Sequence, residues 1–198
     1  MVTVKGIIES ISLDLHSIGA VKLGNFVLSS GMRSPVYLDL RIVPSHPEVF
    51  RKIVSLSVQA LKNLDFDIVC GIATGGLPLS SVIAYLMEKP LIYFRRSEKE
   101  HGTMKRIEGE VKKGANVIVV DDVATTGGSI LEAVKALREQ GAVVRKAFVV
   151  VDRGQGARKN LMAEDVELIS ITTLKKVLLE LREAGAISGV EEVIKELE

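Results

Sequence analysis

The residues with the clearest chemical content are the thirteen of "VIVVDDVATTGGS", 117–129. An aliphatic run reads straight into Asp121 and Asp122, and a stretch of mostly small or hydroxylated residues follows. The aliphatic run predicts a buried strand that leaves its sheet at the two acids, and Ile130, Val134 and Leu137 then recur at helical spacing. The loop between them therefore ends at a helix N-terminus, where unpaired N–H groups and a partial positive charge favour an anion. Gly127 and Gly128 let the backbone close around a phosphate, and Thr125, Thr126 and Ser129 add hydroxyl donors. Carboxylates cannot hold that phosphate, but beside it they accept hydrogen bonds from sugar hydroxyls. A ribose 5-phosphate satisfies both halves. Two solvated strand-end acids followed by a capped loop would have the same composition. A Walker loop is excluded because no Lys follows the glycines, and the spacing is not G-x-G-x-x-G.

These residues need a sheet to position them. Ile7, Ile8, Ile11, Leu15 and Ile18 predict an N-terminal helix ending at Gly19. "VKLGNFVLSSGMRSPVYLDL" reads as short extended pieces joined by a turn at Ser29 to Ser34. A helix follows from Pro47 to Leu64, a buried strand at 67–73, a helix from Pro78 to Met87 and a strand at "LIYF". After the strand at "NVIVVDD" come a helix over 129–140, strands at "VVRKAFVVVD" and "VELISIT", and closing helices. This alternation is that of an α/β fold, with a parallel sheet covered by helices on both faces. Ligands in such folds bind at the carboxyl ends of the strands. Polar segments directly after strands therefore carry most weight.

Three further segments occupy such places. "RRSEKEHGTMKR", 95–106, holds five Arg or Lys against two Glu, plus His101. A charged surface loop would account for it, but its place after a strand puts mobile positive charge where a leaving anion needs it. "GIATGG", 71–76, is either a strand-end turn or a backbone cradle built on Thr74, Gly75 and Gly76. "VVVDRGQG" sets Asp152 and Arg153 after another buried strand, as an ion pair or as a fork for a planar ligand.

Composition narrows the classes. With 198 residues, 47% hydrophobic and 26% charged, and a net charge of +1, the chain predicts one globular domain and no polyanion-binding surface. Its one cysteine, Cys70, excludes an internal disulfide. No apolar run reaches the roughly 18 residues of a membrane span, and the N-terminus lacks a signal-peptide core. We expect no membrane and no nucleic-acid partner, and a cytoplasmic location.

"VIVVDDVATTGGS" resembles the phosphoribosyl-pyrophosphate (PRPP) motif of the type I phosphoribosyltransferases. "FVLSSGMRSPVYLDLR", "RRSEKEHG" and "VVDRGQG" are similar to the orotate-specific branch of that family, and the resemblance spans nearly the whole chain. It implies a five-stranded parallel sheet flanked by helices, with a small N-terminal hood. The hood would take residues 1–45 and part of the C-terminal end, the core about 46–175, in one domain over 1–198. The implied activity joins PRPP and orotate to give orotidine 5′-monophosphate and pyrophosphate, a pentosyl transfer in pyrimidine biosynthesis. Mg2+ would travel with PRPP, with no dedicated protein metal site. The implied PRPP residues are Thr74, Gly75, Arg95, Arg96, Lys99, His101, Asp121, Asp122, Val123, Ala124, Thr125, Thr126, Gly127, Gly128 and Ser129. Lys99, His101, Asp121 and Asp122 would be catalytic, the first two reaching into the other subunit of a homodimer. Orotate would meet the amides of Ser30 and Gly31, Tyr37, Thr125 and Arg153. A purine- or uracil-specific transferase and a PRPP-sensing regulator are the alternatives, and the "SGMRSP" and "EKEHG" segments argue for orotate.

Overall fold

The structure, a computed structural model, describes residues 4–27, 33–96 and 106–197. In chain order the elements are α1 (Val4–Ser17), β1 (Val21–Val27), β2 (Arg33–Leu38), a 3-10 helix (Leu40–Ser45), α2 (Pro47–Leu61), β3 (Ile68–Ile72), α3 (Leu77–Leu86) and β4 (Leu91–Phe94). They continue with β5 (Ile107–Glu108), β6 (Asn116–Ala124), α4 (Gly128–Glu139), β7 (Val143–Asp152), α5 (Ala157–Met162), β8 (Glu167–Thr173), α6 (Leu174–Glu183) and α7 (Glu191–Glu196).

The main sheet runs β5-β4-β3-β6-β7-β8. Five of these strands are mutually parallel, as the resemblance implies, and the sixth, β5, lies antiparallel on β4 through Tyr93–Glu108 and Phe94–Ile107. Two residues carry no alternation to read in a sequence. Their strand exists because Ile107 is buried and Arg95 N–H donates to the Arg106 carbonyl, which covers an edge that would otherwise stay unpaired.

Parity along the central strands builds two cores. Ile118 and Val120 of β6, with Phe148 and Val150 of β7, face α1, α2, α3 and α6. Val117 and Val119, with Ala147 and Val149, face Ile130, Val134 and Leu137 of α4 and Leu161 of α5. Buried on both sides, these strands read as near-continuous aliphatic runs. Cys70 lies in the second core, fully buried.

One sequence expectation is corrected here. The chain does not leave the sheet at Asp121: β6 continues to Ala124, pairing Asp121 with Val149, Val123 with Val151 and Ala124 with Asp152. The ten-residue β7 offers backbone partners that far, and nothing in the composition of β6 announces how long its neighbour is. The six-residue helix α5 also goes beyond the sequence reading, which passes from one strand directly to the next.

The two chain ends meet on one face. β1 and β2 form an antiparallel ribbon. Ser12 Oγ on α1 donates to Glu180 Oε2 on α6 at 2.6 Å, and Lys52 of α2 pairs with Asp14 of α1 at 2.6 Å. Leu174, Val177, Leu178 and Leu181 give α6 one apolar stripe at i, i+3, i+4, i+7 spacing, and it enters the same cluster as Ile11, Leu15, Val36 and Leu38. Leu178→Ala should therefore lower stability by about 2 to 5 kcal/mol in urea unfolding, whereas Leu86→Ala, at a side chain 53% exposed, should stay within about 0.5 kcal/mol.

Candidate functional site

The site grows from a difference in strand length. β3 pairs with β6 only as far as Gly71–Val120, whereas β7 accompanies β6 past Asp122. The two acids therefore stand beyond the end of β3, still held by the sheet on one side. The turn after β3 fills the space on the other. A Cβ on Gly75 would lie 2.7 Å from Asp122 Oδ2, and one on Gly76 would lie 2.7 Å from the Val120 carbonyl oxygen and Asp121 Cα. Close approach to backbone, not an unusual φ, demands glycine at 76, whereas at 75 the obstacle is the Asp122 carboxylate itself. Each carboxylate also accepts a backbone hydrogen bond, Asp121 Oδ1 from the Asp122 amide at 2.9 Å and Asp122 Oδ1 from the Val123 amide at 2.8 Å.

Beyond the acids, Thr125 to Ser129 lead into α4. Gly127 adopts φ +81°, and among the described residues no side chain caps the helix N-terminus. α5 supports this turn from behind: Asn160 Nδ2 donates to the Thr126 carbonyl at 2.9 Å, and a Cβ on Gly127 would meet Leu161 Cγ at 3.3 Å. A cavity of about 90 Å³ opens over it, lined by residues 123–130 with Arg96 and Asp121, and Arg96 donates to Ser129 Oγ.

A second cavity of about 270 Å³ adjoins the first and shares Arg96, Asp121, Val123, Thr125 and Ser129 with it. Gly75 and Asp122 line its floor, and Tyr37, Arg41 and Arg153 line it from the ribbon side. Tyr37 stacks on Phe26 at 5.3 Å. Arg153 is 2% exposed, and its Nη2 donates to Ser34 Oγ at 2.9 Å and to the Val36 carbonyl at 3.1 Å. Its Nε donates to Gln155 Oε1 at 2.9 Å. Asp152 does not pair with it, because Arg158 holds that carboxylate at 2.7 Å. The guanidinium of Arg153 is thus a fixed fork joining the main sheet to β2.

A model of the phosphoribosyl transferase domain matches residues 42–183 of the 198, a span containing both cavities' floor and cradle. The chain belongs to the phosphoribosyltransferase family. It is 46% identical to the orotate phosphoribosyltransferase of Cenarchaeum symbiosum over 98% of each chain. The crystal structure of orotate phosphoribosyltransferase from Aeropyrum pernix superposes with a TM-score of 0.79, at 40% identity, over 90% of this chain and 99% of that one. The structure of Leishmania donovani UMP synthase gives a TM-score of 0.85 at 34% identity, over 96% of this chain and 41% of that longer one.

Among the residues that the sequence singles out, this phosphoribosyltransferase site brings together Gly75, Arg96, Asp121, Asp122, Val123 to Ser129, Tyr37 and Arg153. Thr74 is exposed in the turn and lines neither cavity. Arg95 points to Glu108 on β5, at 2.9 Å, while Arg96 takes the cavity side. Ser30, Gly31, Lys99 and His101 lie outside the described residues. Arg41 and Asn160 are additions. Arg41 lies past the end of β2 in the 3-10 helix, where strand alternation no longer marks it, and Asn160 has no local signal, since its contact with Thr126 is made across the fold.

The acid pair carries an electrostatic cost. Burial pushes the Asp121 carboxyl well above its ordinary range and the neighbouring Asp122 adds to this, against a weaker opposing pull from Arg96. Burial raises Asp122 as well, against the pull of its hydrogen bonds and of Arg41. A carboxyl whose folded pKa is raised binds more protons folded than unfolded, so stability is fullest at low pH and falls as pH climbs from about 3.9 towards the folded value. In the ligand-free protein, Asp121→Asn should therefore raise stability at pH 7 by roughly 0.5 to 2 kcal/mol. The gain should disappear in urea unfolding below about pH 4, where the wild-type carboxyl is protonated in both states.

Proposed function

We propose that the chain is an orotate phosphoribosyltransferase, transferring ribose 5-phosphate from PRPP to a ring nitrogen of orotate and releasing pyrophosphate, a step of pyrimidine biosynthesis. The observation that carries the reading is a pair of adjoining cavities in which a carboxylate pair stands between an uncapped helix N-terminus and a buried, pre-oriented arginine. Relatives of that name, 40 to 46% identical over most of the chain, support the choice of base.

In this reading the 5′-phosphate sits on the amides and hydroxyls of Thr125 to Ser129, with Arg96 beside it. The ribose 2′ and 3′ hydroxyls donate to Asp121 and Asp122, which the ladder to β7 prevents from turning away. Orotate lies against Tyr37, with Thr125 beside it, its carboxylate received by the Ser30 and Gly31 amides and its planar edge by Arg153. Bond breaking at C1 builds positive charge on the ribose and negative charge on the leaving group. The acid pair offsets the first, and Lys99, His101 and Arg96 offset the second. Mg2+ carried with PRPP would supply positive charge to the departing pyrophosphate and would need few direct protein ligands. Among the described residues no group of three or more His, Cys, Asp or Glu is placed to hold a metal. The chain acts as one unit whose hood is built from both ends, in a cytoplasmic homodimer. Lys99 and His101 of each subunit complete the other's site.

A panel of bases with PRPP and Mg2+, following pyrophosphate release, should show orotate as the productive substrate, and release only with uracil or a purine would overturn the reading. Arg153→Ala should depress orotate turnover roughly ten- to a hundredfold, the worth of a charge-assisted hydrogen bond to a buried partner. PRPP affinity in the same variant, read by calorimetry, should change little. Subunit sharing has its own check: mixing inactive Lys99→Ala and Asp122→Asn dimers should restore part of the activity, since each hybrid rebuilds one complete site. No recovery after verified exchange would place the loop in its own subunit.

A further inference from the structure

Arg41 is the second residue of the 3-10 helix and lines the larger cavity, although its side chain is 61% exposed. Two neighbours fix its guanidinium. Nε donates to Asp39 Oδ1 at 2.7 Å, and Nη2 donates to Tyr37 Oη at 2.9 Å. An exposed ion pair returns little stability for the side-chain freedom it removes, so structural support is a weak reason for this arrangement. What the arrangement does achieve is a cation held at one place in the site. Among the described residues Nη1 has no hydrogen-bond partner, which leaves an open edge.

Its place in the site distinguishes Arg41 from the other two cations. Arg153 has Nε and Nη2 committed to Gln155, Ser34 and Val36. Arg96 donates to Ser129 and lines the phosphate cradle. Arg41 does not line the cradle; it shares the larger cavity with Asp122 and Gly75. The electrostatics agree, because Arg96 is the cation that acts on Asp121 and Arg41 the one that acts on Asp122. The acid pair is thus flanked by one arginine at the cradle and another away from it. With a 5′-phosphate in the cradle and ribose over the acids, the region beside Asp122 and Gly75 receives what is attached at C1.

We propose that Arg41 is a substrate-contacting residue that binds the pyrophosphate group on the C1 side of the ribose, held ready by Asp39 and Tyr37. This rests on the reading of the site as a PRPP site. In the unliganded protein Arg41 balances the Asp39 and Asp122 carboxylates; on binding, its open edge turns a diffuse charge into a directed contact with phosphoryl oxygens. A cation placed just past β2 and bonded to Tyr37 of that strand also links leaving-group binding to the position of β2, the strand that receives Arg153.

Calorimetry of the full-length protein with three ligands separates this role from others: PRPP with Mg2+, pyrophosphate with Mg2+, and ribose 5-phosphate, which lacks the group in question. Arg41→Gln should weaken PRPP and pyrophosphate roughly ten- to a hundredfold and leave ribose 5-phosphate within about twofold. Arg41→Lys should recover part of the loss, as a point charge without the fork. Unchanged pyrophosphate affinity in Arg41→Gln overturns the proposal, as does an equal loss for ribose 5-phosphate, or a loss confined to orotate KM. Failure of the wild-type protein to bind PRPP at all would instead overturn the reading of the site.

Discussion

The structure depends on the ladder between β6 and β7 outrunning the ladder between β6 and β3. Three consequences follow from that one mismatch. The acids at 121 and 122 are carried past the end of β3 while still tied to Val149 and Val151 through the neighbouring residues of β6. The vacated position beside them is filled by the turn after β3, with Gly76 against the β6 backbone and Gly75 against the Asp122 carboxylate. The loop to α4 then starts from a rigid strand end, so the helix N-terminus is delivered at a set distance from the acids. Preorganisation of this kind costs little at the moment of reaction, because the dipoles are already aimed.

The same arrangement opposes stability. Desolvation pushes both adjacent carboxyls towards their protonated forms, and Asp122 adds to the rise at Asp121; hydrogen bonds, including the one Asp121 makes to Asp122, and the two arginines work against it. A fold selected for stability alone would place apolar or amide side chains there. Their presence directly after the Val and Ile run of β6 is the kind of local conflict expected where function, not packing, sets the residue.

The ribbon at the N-terminal end is more than a cover. Arg153 leaves the end of β7 and is held by Ser34 and the Val36 carbonyl of β2, while Tyr37, Asp39 and Arg41 continue from that strand along the cavity wall. The ribbon is itself seated by α1, which packs against α6 near the other chain end. The wall opposite the acids is therefore assembled from residues separated by more than a hundred positions. Its geometry is coupled to the docking of the two termini.

Much of this is written locally in the chain. Aliphatic runs with helical patterns between them require a parallel sheet, because strands apolar on both faces are stable only when covered twice. The thirteen residues from Val117 to Ser129 carry the acid pair, the glycines and the helix start in one contiguous stretch, and so their joint chemistry is legible without a fold. Tertiary structure decided the rest, for the reason that each remaining feature compares two distant segments. How far β6 extends depends on the length of β7, and β5 exists only where the returning chain meets an open edge. Asp152 turns to Arg158 rather than to its neighbour Arg153, because Arg153 is claimed by β2. Arg95 and Arg96 are equivalent as letters, yet one faces Glu108 and the other the phosphate cradle, since the Arg95 amide is still tied to Arg106 beside β5 and the chain bends at Arg96.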